Sequence, residues 1–144
     1  MHASIPDIIG YLNEKYGGVP IFVSPYEYRV DFGAIAANGT ASKQLQINSN
    51  SDFVLTDIGF ESIEAIADAS IFIINSANGQ PFSYGPTPVV ALCNYTILTG
   101  VHGSQPYPRL LTGRTSLSVQ LTAGATPIAA PPSVVFSGFN VRGA

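Results

Sequence analysis

Apolar residues first recur at helical spacing and later at strand spacing. Ile5, Ile8, Ile9, Leu12 and Tyr16 fall three and four residues apart, which predicts one amphipathic helix over residues 4–16. Ser4 is placed to cap its first turn, Pro6 suits that turn, and Asp7 lies near the positive end of the helix dipole. Gly17, Gly18 and Pro20 end it. About three turns are marginal alone, so the apolar face must dock, either on its own domain or on a neighbouring subunit. Residues 19–26 (VPIFVSPY) carry two prolines and read as an extended arm.

Beyond the arm the period shortens to two. Arg29 to Ile35 alternates loosely, and Asn38-Gly39 marks a turn. Ser42 to Asn48 places Leu45 and Ile47 on one face with Gln44 and Gln46 on the other. A polar run from Asn48 to Asp52 turns the chain into a strand from Phe53 to Phe60. Ser70 to Asn75 is an apolar strand, and Ser76 to Gly79 closes a hairpin into Gln80 to Tyr84. Pro86 and Pro88 interrupt the chain before Val89 to Leu92; a long loop spans residues 94–107, then an extended piece runs from Pro108 to Thr112. Thr115 to Thr122 alternates strictly through Leu117, Val119 and Leu121, and Ser133 to Val141 forms the last strand. Glu61 to Asp68 has the composition of a short helix but equally suits a loop. About eight strands without a βαβ rhythm or an internal repeat predict an all-β fold. The expected architecture is a single antiparallel β-sandwich, jelly-roll-like, with a short N-terminal helix and an arm. Residues 1–26 make the helix and arm, and residues 27–144 the sandwich.

Charge changes this picture most. Only 10% of the 144 residues are charged, against about 25% in an ordinary soluble domain. The last carboxylate is Asp68: all nine precede Ala69, against Lys15, Arg29 and Lys43, while the remainder holds only Arg109, Arg114 and Arg142. Such a chain has trouble keeping its surface wet, which points to a subunit covered by neighbours. With no Lys/Arg cluster and a net charge of −3, nucleic acid is not expected as the main partner. No run reaches the roughly 18 apolar residues of a membrane span. The N-terminus lacks a basic-then-apolar leader pattern, so cytosolic synthesis is the expectation.

Little catalytic chemistry is visible. Cys93 is the single cysteine, which excludes an intrachain disulfide and a cysteine-based zinc cluster. His2 and His102 are the only histidines. A Cys93–His102 pair is conceivable, but a lone cysteine at a strand end usually acts as a small hydrophobe. No nucleophile elbow, Walker loop or dinucleotide fingerprint is present. Asp52 with Asp57, or Glu61, Glu64 and Asp68, offer paired carboxylates but no calcium-loop rhythm, so a solvated acidic face is the expectation. Asn38-Gly39-Thr40 and Asn94-Tyr95-Thr96 match the glycosylation pattern by chance in an Asn/Thr-rich chain. No catalytic residue, metal ligand or cofactor is assigned.

The order of motifs carries a resemblance over residues 42–141. Leu45 to Ser49 is followed by Asp52 to Leu55, then by Ser70 to Asn75 with Asn78-Gly79-Gln80. Pro106 to Leu111, Gly113 to Thr122 and Val134 to Val141 with Ser137-Gly138-Phe139 complete it. In this the chain resembles small β-sandwich virion proteins of tailed bacteriophages, of the head-decoration or cement, collar and connector kinds. The resemblance implies a non-catalytic structural subunit of the virion, made in the host cytoplasm. Its partners would be copies of itself and capsid, portal or neck proteins.

Ile5, Ile8, Ile9, Leu12, Ile21, Phe22 and Tyr26 are then the expected assembly contacts, with Arg109 and Arg114 as interface charges. The alternative is a glycan- or receptor-binding module using Tyr95, His102 and Tyr107 of the long loop. A hydrolase is the least expected class.

Overall fold

In the computed structural model the chain is an antiparallel β-sandwich. The structure describes residues 10, 12, 14–17, 21–62, 68–76, 78–89, 94–97 and 103–143. The strands are β1 (Ile21–Asp31), β2 (Thr40–Gln46), β3 (Asp52–Ser62), β4 (Ser70–Asn75) and β5 (Gln80–Pro81). They continue with β6 (Thr87–Pro88), β7 (Asn94–Ile97), β8 (Gly103–Leu111), β9 (Ser116–Thr122) and β10 (Ser133–Gly143). One sheet runs β1-β10-β3-β7 with β8 also paired to β3; the other runs β2-β9-β4-β5 with β6 also paired to β4. All pairings are antiparallel except the short β3–β7 ladder.

The core lies between the sheets and follows from the alternation. Tyr28 and Val30 of β1, Phe53, Leu55, Ile58 and Phe60 of β3, and Val134 and Phe136 of β10 face Leu45, Ile71, Ile73, Leu117, Val119 and Leu121. β9 shows the period most clearly: Leu117, Val119 and Leu121 are buried, and the serines and glutamine between them are half exposed. The outer face of the second sheet carries Thr40, Ser42, Gln44 and Gln46 beside Ser116, Ser118, Gln120 and Thr122. That face carries hydroxyls and amides with half-exposed Phe72 and Ile74 of β4 and no charge, and Thr40 and Thr122 hydrogen-bond across the strands at 2.9 Å.

A second, smaller cluster lies on the outer face of the first sheet. Leu12 packs there against Val54 and Val141, flanked by Tyr16, Ile21, Leu110 and Phe139. Val54 faces outward because its neighbours Phe53 and Leu55 face the core. Gly10, Leu12, Glu14, Lys15 and Tyr16 are helical. The helix therefore docks on its own domain. At Leu12, which is fully buried, this corrects the expected contact with a neighbouring subunit. Ile5, Ile8 and Ile9 lie outside the described residues.

The arm is also corrected. Residues 21–26 are the first half of β1, which pairs with β10 along its whole length from Ile21↔Gly143 to Asp31↔Ser133. Phe32 N–H donates to Pro132 O at 2.9 Å, so even-numbered residues of this segment point their backbone groups at β10. Pro25 is odd-numbered, and the N–H it lacks would have faced the free edge. A proline is therefore tolerated in a strand that the two prolines had argued against.

The long loop is corrected too. Asn94–Ile97 and Gly103–Leu111 are both strands on β3, so 94–107 is not one irregular connection. Pro88 likewise stands in a short ladder opposite Ser70, on edge strand β6. Within 61–68, Glu61 and Ser62 still belong to β3 and Asp68 sits in a turn; residues 63–67 lie outside the described residues.

Candidate functional site

The two sheets differ in reach at one end of the sandwich. Tyr28 Oη accepts a hydrogen bond from Asn48 N–H at 3.1 Å, in the turn that follows β2. The second sheet stops at that turn. The first half of β1 and the last residues of β10 run on past it as a ledge. Phe22 (59% exposed), Val23 and Tyr26 lie on this ledge, and with Tyr84 they are the exposed large hydrophobics among the described residues. Phe22 stands opposite Arg142 in the ladder. The Tyr26 ring meets Tyr28 edge-on at 4.9 Å, and Tyr28 meets Phe53 the same way.

Two clefts open at the same end, on either side of the turn between β8 and β9. The first, about 290 Å³, is lined by Tyr16, Ser49 to Asp52 and Val141 to Gly143. Asp52 organises it, accepting from the Tyr16 hydroxyl and, at 2.8 Å, from Gly113 N–H. That one carboxylate ties the helix end to the β8–β9 turn. Gly113 has to be glycine because a β-carbon would lie 2.9 Å from Ser51 O and 3.1 Å from Asn48 O. Arg114 follows it with φ +70° and donates its N–H to Ile47 O at 3.1 Å. The backbone thus fixes this arginine at the tip of the turn, where its side chain is exposed.

The second cleft, about 240 Å³, is lined by Asn75, Asn78, Gln80, Phe82, Arg109, Leu110 and Leu111. The Arg109 guanidinium lies 4.3 Å above the Phe82 ring and donates to Phe82 O at 3.3 Å. Asn78 Oδ1 accepts from Gln80 N–H at 2.9 Å and shapes the β4–β5 hairpin with Gly79 at φ +71°.

Most ionised groups lie towards one end or the other, with Glu27, Lys43 and Asp57 on the strands between. Arg109, Arg114, Arg142 and Lys15 occupy the ledge end with Glu14 and Asp52. Asp31, Glu61 and Asp68 occupy the other, with Arg29 among them. Arg29 pairs with Glu61 and, at 3.1 Å, with Asp31. The Glu61 hydrogen bond holds the Arg29 guanidinium charged, and the Asp31 bond adds to it against the opposing cost of burial. A 2.6 Å hydrogen bond from the Ser133 hydroxyl lowers the Asp31 carboxyl, assisted by Arg29 and opposed by slight desolvation. Burial raises the Tyr28 phenol, although the Asn48 N–H lowers it.

Of the residues singled out from sequence, Phe22 and Tyr26 lie on the ledge, Arg114 at the tip of the β8–β9 turn and Arg109 in the second cleft, and Ile21 is half buried beneath the helix. The sequence reading missed Arg142, Asp52 and the Asn75–Phe82 hairpin as parts of the site. The Gly113–Arg114 pair next to a strand pattern was the signal for the turn that joins them. Cys93 and His102, and the side chains of Tyr95 and Tyr107, lie outside the described residues. Among the described residues no group of three or more His, Cys, Asp or Glu could hold a metal ion, and no helix is long and apolar enough to cross a membrane.

The chain matches no protein-family model and no curated protein. Among solved structures, it is similar to PliG from Aeromonas hydrophila, a periplasmic inhibitor of g-type lysozyme. That match has 9% identity over 85% of this chain and 89% of the other, with a TM-score of 0.36. It is also similar to VP2 of the infectious bursal disease virus subviral particle, at 12% identity over 84% of this chain and 32% of that one, with a TM-score of 0.27. A structure of the Gx strain of the same virus matches at 11% identity over 84% of this chain and 39% of the other, with a TM-score of 0.20.

Proposed function

We propose that this protein is a non-catalytic structural subunit that assembles with copies of itself on a virus particle. The resemblance of its motif order to tailed-phage decoration, collar and connector proteins supplies the setting. One observation supports self-assembly most: Phe22 and Tyr26 stand exposed on a ledge, with Arg142 opposite Phe22 in the ladder. Exposed aromatic groups rimmed by arginine are the usual make-up of a protein contact.

The occupant proposed for the ledge is the opposite end of a second copy. That end presents Asp31, Glu61 and Asp68, so the charges are complementary head to tail and repulsive head to head. A head-to-tail contact is heterologous, and it closes into a ring or continues as a stack according to its rotation. The uncharged second-sheet face leaves that packing free of further repulsion.

Light scattering of the full-length protein across a salt series tests this. Defined oligomers at low salt that dissociate as salt rises are expected, because exposed charge pairs are screened over about 10 Å at 0.1 M. The double reversal R114E/R142E should shift the population towards monomer at low salt. A monomer at every salt and protein concentration would overturn the proposal.

A further inference from the structure

We propose that the cleft between the β4–β5 hairpin and β8 is a binding site for a carboxylate group, with Arg109 as its anchor. The inference stands apart from self-assembly and holds whether or not the chain oligomerises. Arg109 is held on two sides, by the Phe82 ring beneath it and by the Phe82 carbonyl at its Nη2. A guanidinium carries five N–H donors in a rigid fork, and only one of these has a partner among the described residues. A fixed fork with free donors is the arrangement that takes a carboxylate in two parallel hydrogen bonds.

The lining agrees with that chemistry. Asn75, Asn78 and Gln80 bring amides, Leu110 and Leu111 bring apolar surface, and among the described residues no carboxylate lines the cleft. Among the described residues the site therefore carries one positive charge and nothing to neutralise it. A neutral sugar fits less well. Phe82 is packed against the core on one side and covered by Arg109 on the other, which leaves no ring face for a pyranose to stack on. The pocket volume of about 240 Å³ admits an acidic side chain or a small free acid. Both sources present the same group to Arg109.

Nitrogen-15 NMR of the full-length protein distinguishes them. The probes are succinate and a capped Gly-Asp-Gly tripeptide, with the Gly-Asn-Gly tripeptide as a neutral control of the same shape. Saturable, millimolar-range shifts of the Arg109 Nε–H and of the Asn75 and Gln80 side-chain amides are expected with the acids and not with the control. Tighter binding of the tripeptide identifies an acidic polypeptide as the source, and tighter binding of succinate a free acid. Arg109→Lys keeps the charge but loses the fork, and should weaken binding about tenfold. Phe82→Leu removes the ring that holds the fork in place and should weaken it in the same direction. Absence of saturable shifts, equal shifts with the neutral peptide, or unchanged affinity in Arg109→Lys would each overturn the site.

Discussion

Gly138 backs directly onto the carbonyl oxygen of Val54, at the point where β3 and β10 slip register. The ladder pairs Ser137 with Asp57 and then Gly138 with Leu55, so Thr56 is the extra residue of a bulge. Thr56 Oγ1 donates to Ser137 O at 3.2 Å, which uses a carbonyl that the slip would strand. A β-carbon on residue 138 would overlap Val54 O and come within 3.2 Å of the Phe53 ring. Backbone cannot retreat as a flexible side chain can. Gly138→Ala is therefore expected to destabilise the domain by about 3 kcal/mol. In a domain of this size that lowers the melting temperature by roughly 6 to 12 °C, and a melt within 2 °C of the parent protein, a threshold of about 1 kcal/mol, would refute the geometry of the bulge.

Leu12→Ala opens a void between the helix and the first sheet, where Val54 and Val141 close over a side chain with no exposed surface. Loss of a buried leucine costs about 2 to 5 kcal/mol. Urea unfolding should show it. Low-salt oligomer mass should not change in the protein that remains folded, since Leu12 serves its own domain. A loss of mass without a loss of stability would restore the helix to an interface role.

Tyr28→Phe retains the ring contacts with Tyr26 and Phe53 but strands the Asn48 N–H at the β2–β3 turn. A cost of about 1 kcal/mol is expected, and its signature is faster amide exchange at Asn48. Unaltered exchange at that amide would mean the hydroxyl does not anchor the turn.

Acid should weaken the far end of the sandwich through Asp31. Its folded pKa lies below its ordinary value, chiefly through the Ser133 hydroxyl and then Arg29. The stability it contributes is therefore present above the unfolded value of about 3.9 and is lost as pH falls through the lower folded value. The gap in stability between the parent and Asp31→Asn should be small at pH 7, because the group is exposed and screened. That gap should close below about pH 4. A gap that widened with acid would reverse the assignment.

Strands with strict alternation were legible from sequence. Ser70–Asn75 and Ser116–Thr122 lie where Ile71, Ile73, Leu117, Val119 and Leu121 demand a buried face. What was not legible depends on partners far along the chain. Proline at position 25 suggested an arm because a sequence does not say which edge of a strand its missing N–H would face; only pairing with β10 decides that. Residues 103–107 looked like loop, apart from the extended piece at 108–112, because Pro106 and Pro108 hide a continuous strand that β3 holds from one side. For the site, single residues such as Arg109, Phe22 and Tyr26 stood out. The ledge that carries Phe22 and Tyr26 came from strand lengths, β1 and β10 having eleven residues each where β2 and β9 have seven, and the cleft that holds Arg109 came from the β4–β5 hairpin beside β8.

Proline 25 has a consequence beyond its own strand. The outer edge of β1 is a row of backbone donors and acceptors of the kind onto which another chain adds, and such rows are where fibres begin. With no donor at position 25, that row is broken near its middle, so a foreign strand finds only short stretches of two or three bonds on either side. Copies crowded together at high concentration are thereby kept from zipping edge to edge. Whatever they build must come from discrete, reversible patches instead of one endless sheet.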